Sequence, residues 1–313
     1  MSSHPVLEEL VRIAERDPLP DPDVSSHWRE YGARTLVERS GSSLVLRASG
    51  FQTVHRLGPV GTVLSRIERL SYRRVTSSLA SYPRVWREAL VVARSLGADP
   101  DFYVFKTACA LALLIDHFAA HALRPRTVML IGDGEGFLGA LLRRVLSGTT
   151  IWSVDLPKQL VFQARTYSAA EPQVAMSVGP LSSGDVRFVL PSQIGAIPVG
   201  IDLAVSIASM QEMTSASVEA YFTCLRARSH ERSRFYCVSR AEKVLPGGDV
   251  SRFSGYPWSP ADEVFIDGTC PFYTHYLSRH MQPAGPRVLG VRVPFVNHFD
   301  GVHLHRLARL APS

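Results

Sequence analysis

The chain has 313 residues, 46% of them hydrophobic and 20% charged, with a formal net charge of +6 at pH 7. This balance suits a folded α/β domain with a smaller unit beside it and excludes a disordered or fibrous protein. The positive charge comes from scattered arginines, which argues against nucleic acid as a partner; the longest apolar run, about 108–115, is too short for a membrane span; and the first residues, Met1-Ser-Ser-His-Pro5, lack a secretory pattern.

Residues 6–16 read as a short amphipathic helix, closed by the breaker Asp17-Pro-Leu-Pro-Asp-Pro22. From 24 to 125 the pattern is mostly helical: Val63, Leu64, Ile67 and Leu70 recur at helical intervals, as do Trp86, Leu90, Val91 and Ala93. The apolar stretch 102–123 predicts a buried helix, and the alternation Ser43-Leu-Val-Leu-Arg47 a strand. Beyond Thr127 the pattern becomes strands alternating with helices, as in a parallel sheet covered on both faces. The strands are expected at 127–131, 150–154, 186–190, 201–207 and 233–238, with helices at about 136–146, 158–168 and 215–228, the last capped by Thr214 or Ser215. A Pro-, Gly- and aromatic-rich stretch, 246–286, precedes two final strand-like runs, 288–294 and 302–310, joined by a loop ending in Asp300-Gly301.

Four features carry chemistry. The first is Val128-Met-Leu-Ile-Gly-Asp-Gly-Glu-Gly136, a buried strand running into Gly132, Gly134 and Gly136 and then a helix, which is how a chain presents a helix amino end to a nucleotide-like ligand. Asp155 ends the next strand, 23 residues beyond Gly132, where an acid accepts both hydroxyls of a ribose. That logic serves a nicotinamide dinucleotide and S-adenosylmethionine alike, and the absence of a P-loop lysine argues against a nucleoside triphosphate. The second is the polar end of the fourth strand, where Ser209, Gln211 and Glu212 point toward the ligand edge, Glu212 either orienting or deprotonating a substrate hydroxyl or merely opening a helix.

The third is the terminal loop. If 288–294 runs parallel to the main sheet, Asn297, His298 and Asp300 face the cleft, with His298 as general base and Asp300 orienting it; otherwise the loop is a solvated hairpin tip. His303 and His305 alternate on the last strand and read as structural. The fourth is Arg240, after the fifth strand, placed to hold an anionic or hydroxylated group, with Tyr256 and Trp258 as a floor for a sugar or flat ring. Cys109, Cys224, Cys237 and Cys270 show no CxxC spacing, which suits reduced thiols in a cytoplasm and argues against a zinc site.

Ile131-Gly-Asp-Gly-Glu-Gly136, Val154-Asp-Leu-Pro157 with Leu160 and Gln163, Ser209-Met-Gln-Glu-Met213 with Tyr221 and Phe222, and Phe235-Tyr236 followed by Ser239, Arg240 and Lys243 together resemble class I S-adenosylmethionine-dependent methyltransferases. More narrowly they resemble the bacterial sugar O-methyltransferase group. The resemblance covers about 125–245, with two departures: Asp133 where a small residue is usual, and Val238-Ser239 where an asparagine precedes the arginine. It implies a Rossmann-like sheet, mostly parallel, with a terminal antiparallel hairpin. It implies that Gly132, Gly134 and Gly136 approach the methionine part of S-adenosylmethionine, with Asp133 in the same turn. It also implies that Asp155 binds the ribose, Leu156 lies against adenine, and Pro191, Ser192 and Gln193 border that ring.

The expectation is therefore a helical cap, about 1–124, on an S-adenosylmethionine-binding domain, about 125–313. Gly132, Asp133, Gly134, Gly136, Asp155, Leu156, Ser192, Gln193 and Ser209 would bind the cofactor. Gln211, Arg240, Tyr256 and Trp258 would bind a small acceptor such as a sugar or glycosylated metabolite, and His298, Glu212 and Asp300 would act in catalysis. No metal is required, and a homo-oligomer is left open. The alternatives are an NAD(P)-dependent oxidoreductase, against which the terminal hairpin speaks, and a non-catalytic methyltransferase-like partner, against which the intact glycines speak.

Overall fold

The computed structural model describes residues 5–16, 24–40, 43–49, 56–198, 200–280 and 285–312; the breaker at 17–22 lies outside them. The amino-terminal part contributes α1 (Pro5–Arg16), α2 (Ser26–Arg34), the hairpin β1 (Leu36–Ser40) and β2 (Ser43–Arg47), α3 (Pro59–Ser71), α4 (Arg73–Ser77), α5 (Tyr82–Ser95) and α6 (Phe102–Ala120). Alternating units follow: β3 (Thr127–Ile131), α7 (Phe137–Val145), β4 (Thr150–Val154), α8 (Pro157–Ala170), β5 (Met176–Val178), β6 (Val186–Val189), β7 (Leu203–Ile207), α9 (Ser215–Ala227) and β8 (Arg234–Arg240). The rest holds β9 (Glu242–Val244), β10 (Val250–Arg252), β11 (Glu263–Thr269), β12 (His275–Leu277), β13 (Arg287–Val288), β14 (Val291–Arg292), β15 (Val296–His298) and β16 (His303–Arg309).

The main sheet has eight strands in the order β11-β16-β8-β7-β3-β4-β6-β5. Strands β3 to β8 run parallel, and β16 runs antiparallel to both β8 and β11. From β3 the chain first winds one way through β4 and β6, then the other way through β7 and β8. The crevice at the carboxyl ends of β3 and β7 is therefore the topological switch point, where open α/β sheets bind ligands. Alternate residues of β3 feed opposite faces: Val128 and Leu130 join one core, Met129 and Ile131 the other. That is why the strand reads as a continuous apolar run.

Helix α6 has the length and hydropathy of a membrane-crossing helix, beyond what the run at 108–115 suggested. Here nine of its residues, among them Phe105, Leu111 and Leu114, are core, and it packs against α5 and α7. The division expected near residue 124 separates sequence patterns rather than cores. Leu10, Val85, Phe105, Leu141, Tyr167 and Leu307 belong to one continuous apolar cluster.

The last third differs most from expectation. The strand beside β16 is β11, inside the stretch read as irregular, and not 288–294. Leu289 and Gly290 have φ of 49° and 79°, so that segment folds on itself as the two-residue ladders β13 and β14, away from the main sheet.

Candidate active site

The glycine turn after β3 is shaped by close approach. Gly132 has φ +71°, and a Cβ there would lie 1.8 Å from Ser209 Oγ. Gly134 has φ +57° and lines the cleft beside it. Gly136, φ +87°, opens α7, and its open face meets Gln163 Cα at 2.9 Å; it serves helix packing and, contrary to expectation, is not on the cleft wall. Asp133 explains its own departure from a small residue. Its carboxylate accepts from Leu138 N at 3.1 Å and Gly139 N at 2.8 Å, satisfying amides at the start of α7.

Asp155 sits at the carboxyl end of β4, 8% exposed, accepting from Leu156 N at 2.9 Å and Gln163 Nε2 at 2.7 Å. Burial pushes its pKa up to about 7, helped by the neighbouring Asp133, which burial also raises to about 7. Gln163 also donates to Gly134 O at 3.2 Å and accepts from Ser153 Oγ at 2.7 Å. It ties the glycine turn to the acid and fixes both relative to β4.

Two connected chambers open here, about 610 and about 230 Å3 in volume, sharing Trp28, Gly132, Asp155 and Ser209 as walls. The smaller is a slot between Leu156, Pro157, Pro191, Ser192, Met213 and Tyr221. Gln193, expected in that wall, instead turns its Oε1 to Leu190 N at 3.2 Å. Helix α2 contributes to the wall of the cleft: His27, Trp28 and Tyr31 line the larger chamber. Their contribution escaped the sequence reading because α2 shows no distinctive motif.

The far wall of the larger chamber is charged and aromatic: Tyr103, Lys106, Gln211, Glu212, Arg240, Lys243, Tyr273, Phe299, Asp300 and His303. Burial pushes the Glu212 carboxyl up, but His27 and Lys243 outweigh it and hold it below its ordinary value. Lys243 Nζ is 2.6 Å and His27 Nε2 3.3 Å from the carboxylate. Glu212 is thus an ionised anchor joining α2, β7 and β9, and a weak candidate for a general base. Gln211 Oε1 accepts from Arg240 N at 2.7 Å, aligning the end of β8.

On the acceptor side, His298, Tyr256 and Trp258 fall away from the cleft, while Asp300 stays on its wall with a different partner. His298 is exposed and lines a neighbouring cavity of about 820 Å3, not the cleft. Asp300 binds Arg240 at 2.8 Å rather than His298. Tyr256 and Trp258 pack with Phe222, Phe235 and Phe253 beneath the sheet; Tyr256 hydroxyl and Ser239 Oγ are 3.0 Å apart and Trp258 Nε1 donates to Phe253 O at 3.1 Å. Asn297 is buried in its own hairpin, bonded to Arg292. His303, read as structural, is on the cleft wall. The signal was the antiparallel last strand: it starts where the parallel strands end, so its first residue lies at the ligand edge. His305, two residues further, is structural, with Nδ1 3.1 Å from Tyr236 hydroxyl.

The one antiparallel strand next to β8, with the site at the carboxyl ends of β3, β4 and β7, is the class I methyltransferase arrangement. No protein-family profile and no curated protein matches the sequence. Among solved structures it is similar to TrmN from Thermus thermophilus, at 12% identity over 64% of this chain and 48% of that one, with a TM-score of 0.38. It is similar to TehB from Haemophilus influenzae, at 16% identity over 64% and 62%, TM-score 0.39. A S-adenosylmethionine-dependent methyltransferase from Clostridium acetobutylicum shares 11% identity over 63% and 89%, TM-score 0.38. The chain thus spans about half to two thirds of the length of the first two. The fold is established by strand order and strand direction, not by these likenesses.

Proposed function

We propose that the protein is a S-adenosylmethionine-dependent methyltransferase acting on a hydroxyl of a sugar or other small polyhydroxylated metabolite. The observation that carries the reading is Asp155, a buried acid beside Gly132 on the wall common to both chambers. The residues suit the cofactor: Asp155 for the ribose hydroxyls, the slot at Leu156 and Ser192 for adenine, and the turn at Gly132 and Gly134, which lines the larger chamber, for the chain that links them to it. When bound, the cofactor supplies an already activated methyl group. The protein's part is then to align the acceptor oxygen and exclude water, and alignment alone is worth a large share of the barrier. Arg240 and Gln211 fit the task of positioning the acceptor. His303, which burial, Arg240 and Lys106 lower to about 4, is a neutral imidazole on the cleft wall, a weak base suited to hydrogen-bonding the acceptor rather than to removing its proton. The four cysteines are buried free thiols, in keeping with a cytoplasmic setting.

The test is transfer of labelled methyl from S-adenosylmethionine to a panel of sugars and polyols, with the methylated atom located by NMR. Methyl found on a hydroxyl oxygen supports the reading. Methyl found on nitrogen or carbon leaves the methyltransferase and removes the hydroxyl acceptor.

A further inference from the structure

The sequence holds three lysines among many arginines, and two of them, Lys106 and Lys243, line the cleft. Lys158 holds α2 and Lys243 holds Glu212. Lys106, on α6, has no ion pair among the described residues. Its Nζ lies 3.9 Å from the ring centre of Tyr103, 4.6 Å from that of Tyr273 and 5.6 Å from that of Phe102. His303 stacks on the same Tyr273 ring, 4.5 Å away and 18° from parallel. Arg240 faces His303 across the β8–β16 ladder. Its carboxylate partner among the described residues, Asp300, is 91% exposed, and its Nε is buried without a hydrogen bond. His303 is 4% exposed, and its Nδ1 is buried without a well-formed hydrogen bond, though the Gly301 backbone acts on the ring.

From this convergence, and resting on the methyltransferase reading above, we infer that the acceptor carries a carboxylate that binds between Lys106, Arg240 and His303. Asp101 and Glu212 act on Lys106 without forming an ion pair with it, and Asp300, which pairs with Arg240, is solvated, so among the described residues no buried carboxylate closes this corner directly. Aromatic faces compensate an ammonium only in part, and a buried charge calls for a partner. Burial lowers the Lys106 pKa to about 7, against the raising effect of Asp101, Cys270 and Glu212. A sulfonium cofactor adds further positive charge to the same chamber. A carboxylate suits the corner better than a phosphate dianion, because Glu212, Asp133 and Asp300 line the same chamber and repel a second negative charge. The acceptor class is accordingly an acidic polyol, such as a uronic acid, or a hydroxylated aromatic acid.

The inference is tested on the protein saturated with S-adenosylhomocysteine, by calorimetry and saturation-transfer NMR with matched pairs: glucuronate and glucuronamide, galacturonate and galacturonamide, 4-hydroxybenzoate and 4-hydroxybenzamide. At least one acid should bind about tenfold or more tightly than its amide, as expected of a partly buried ion pair. The preference should vanish in Lys106→Met, persist in part in Lys106→Arg, and leave S-adenosylhomocysteine affinity unchanged in both. Acids binding no better than amides, including no binding by either, overturns the inference; so does a preference that survives Lys106→Met. It is equally overturned if Lys106→Met weakens S-adenosylhomocysteine but not 5′-methylthioadenosine, which lacks the carboxylate, for then Lys106 serves the cofactor. Failure of the wild-type protein to bind S-adenosylhomocysteine at all is a separate result and removes the methyltransferase reading itself.

Discussion

Asp155 and Asp133 share one buried neighbourhood, and both titrate near 7 when the site holds no ligand. Their folded-state pKa values lie above the unfolded ones, so they favour folding below about pH 4. That contribution is lost as the pH rises through about 7. On the proposal that a ribose hydroxyl donates to ionised Asp155, cofactor binding should release a proton below pH 7. Affinity for S-adenosylhomocysteine should therefore fall as the pH drops below 7, by up to about tenfold per pH unit. Calorimetry in buffers of different ionisation enthalpy measures both quantities. Asp155→Ala should weaken binding by about 1–3 kcal/mol and flatten the pH dependence; an unaltered pH profile would remove Asp155 from the ribose. Two glycines separate binding from stability. Gly132→Ala drives a Cβ into Ser209 Oγ at a left-handed φ and should abolish binding in a folded protein. Gly139→Ala drives one to 1.8 Å from Tyr167 hydroxyl in the core and should cost about 1–3 kcal/mol of stability in denaturant titration. A Gly139→Ala protein as stable as wild type would show that α7 and α8 can move apart there.

At the scale of elements, α2 supplies one wall of the crevice. It is held at both ends: Ser25 Oγ donates to Glu212 O, and Lys158 Nζ donates to Gly32 O and Thr35 O at 2.9 Å each, a cation on the helix carboxyl end. Trp28 of α2 lines the smaller chamber proposed for adenine, so loosening α2 is expected to ease ligand release. Lys158→Met should loosen this strap by about 1.5–3 kcal/mol and speed release of S-adenosylhomocysteine roughly tenfold or more in stopped-flow displacement. An unchanged release rate would mean the ligand leaves by another route. Strands β3 and β4 were legible to the residue because buried parallel strands are short apolar runs between turn signals. Strand β11 was not: it is an edge strand with a bulge between Val264 and Ile266 and Gly268 near its end, so its alternation is broken. The run 288–294 has stronger strand character, but Leu289-Gly290 turns it into a hairpin. That reversal carries His298 away from the cleft.

At the scale of the molecule, the amino-terminal helices and the sheet form one body, so α6 brings Lys106 and Tyr103 to a cleft whose floor is built 25 residues later in the chain. The glycine turn and the acid on the cleft wall were readable because backbone needs write them into the sequence: glycines where φ is positive, an acid where a strand ends. The acceptor half was not, because it is assembled from α2, α6, β8 and β16 across more than 200 residues, with no local spacing to mark it. A lysine in an apolar helix and a histidine in an alternating strand look like ordinary core and surface positions until the fold brings them together. The central claim is that this body binds S-adenosylmethionine at the switch point between β3 and β7. Calorimetric titration of the purified protein with S-adenosylhomocysteine and, separately, with NADH tests it directly. The account predicts one-to-one binding of S-adenosylhomocysteine that is lost in Gly132→Ala, and no heat from NADH. Saturable NADH binding, with S-adenosylhomocysteine silent, would contradict it.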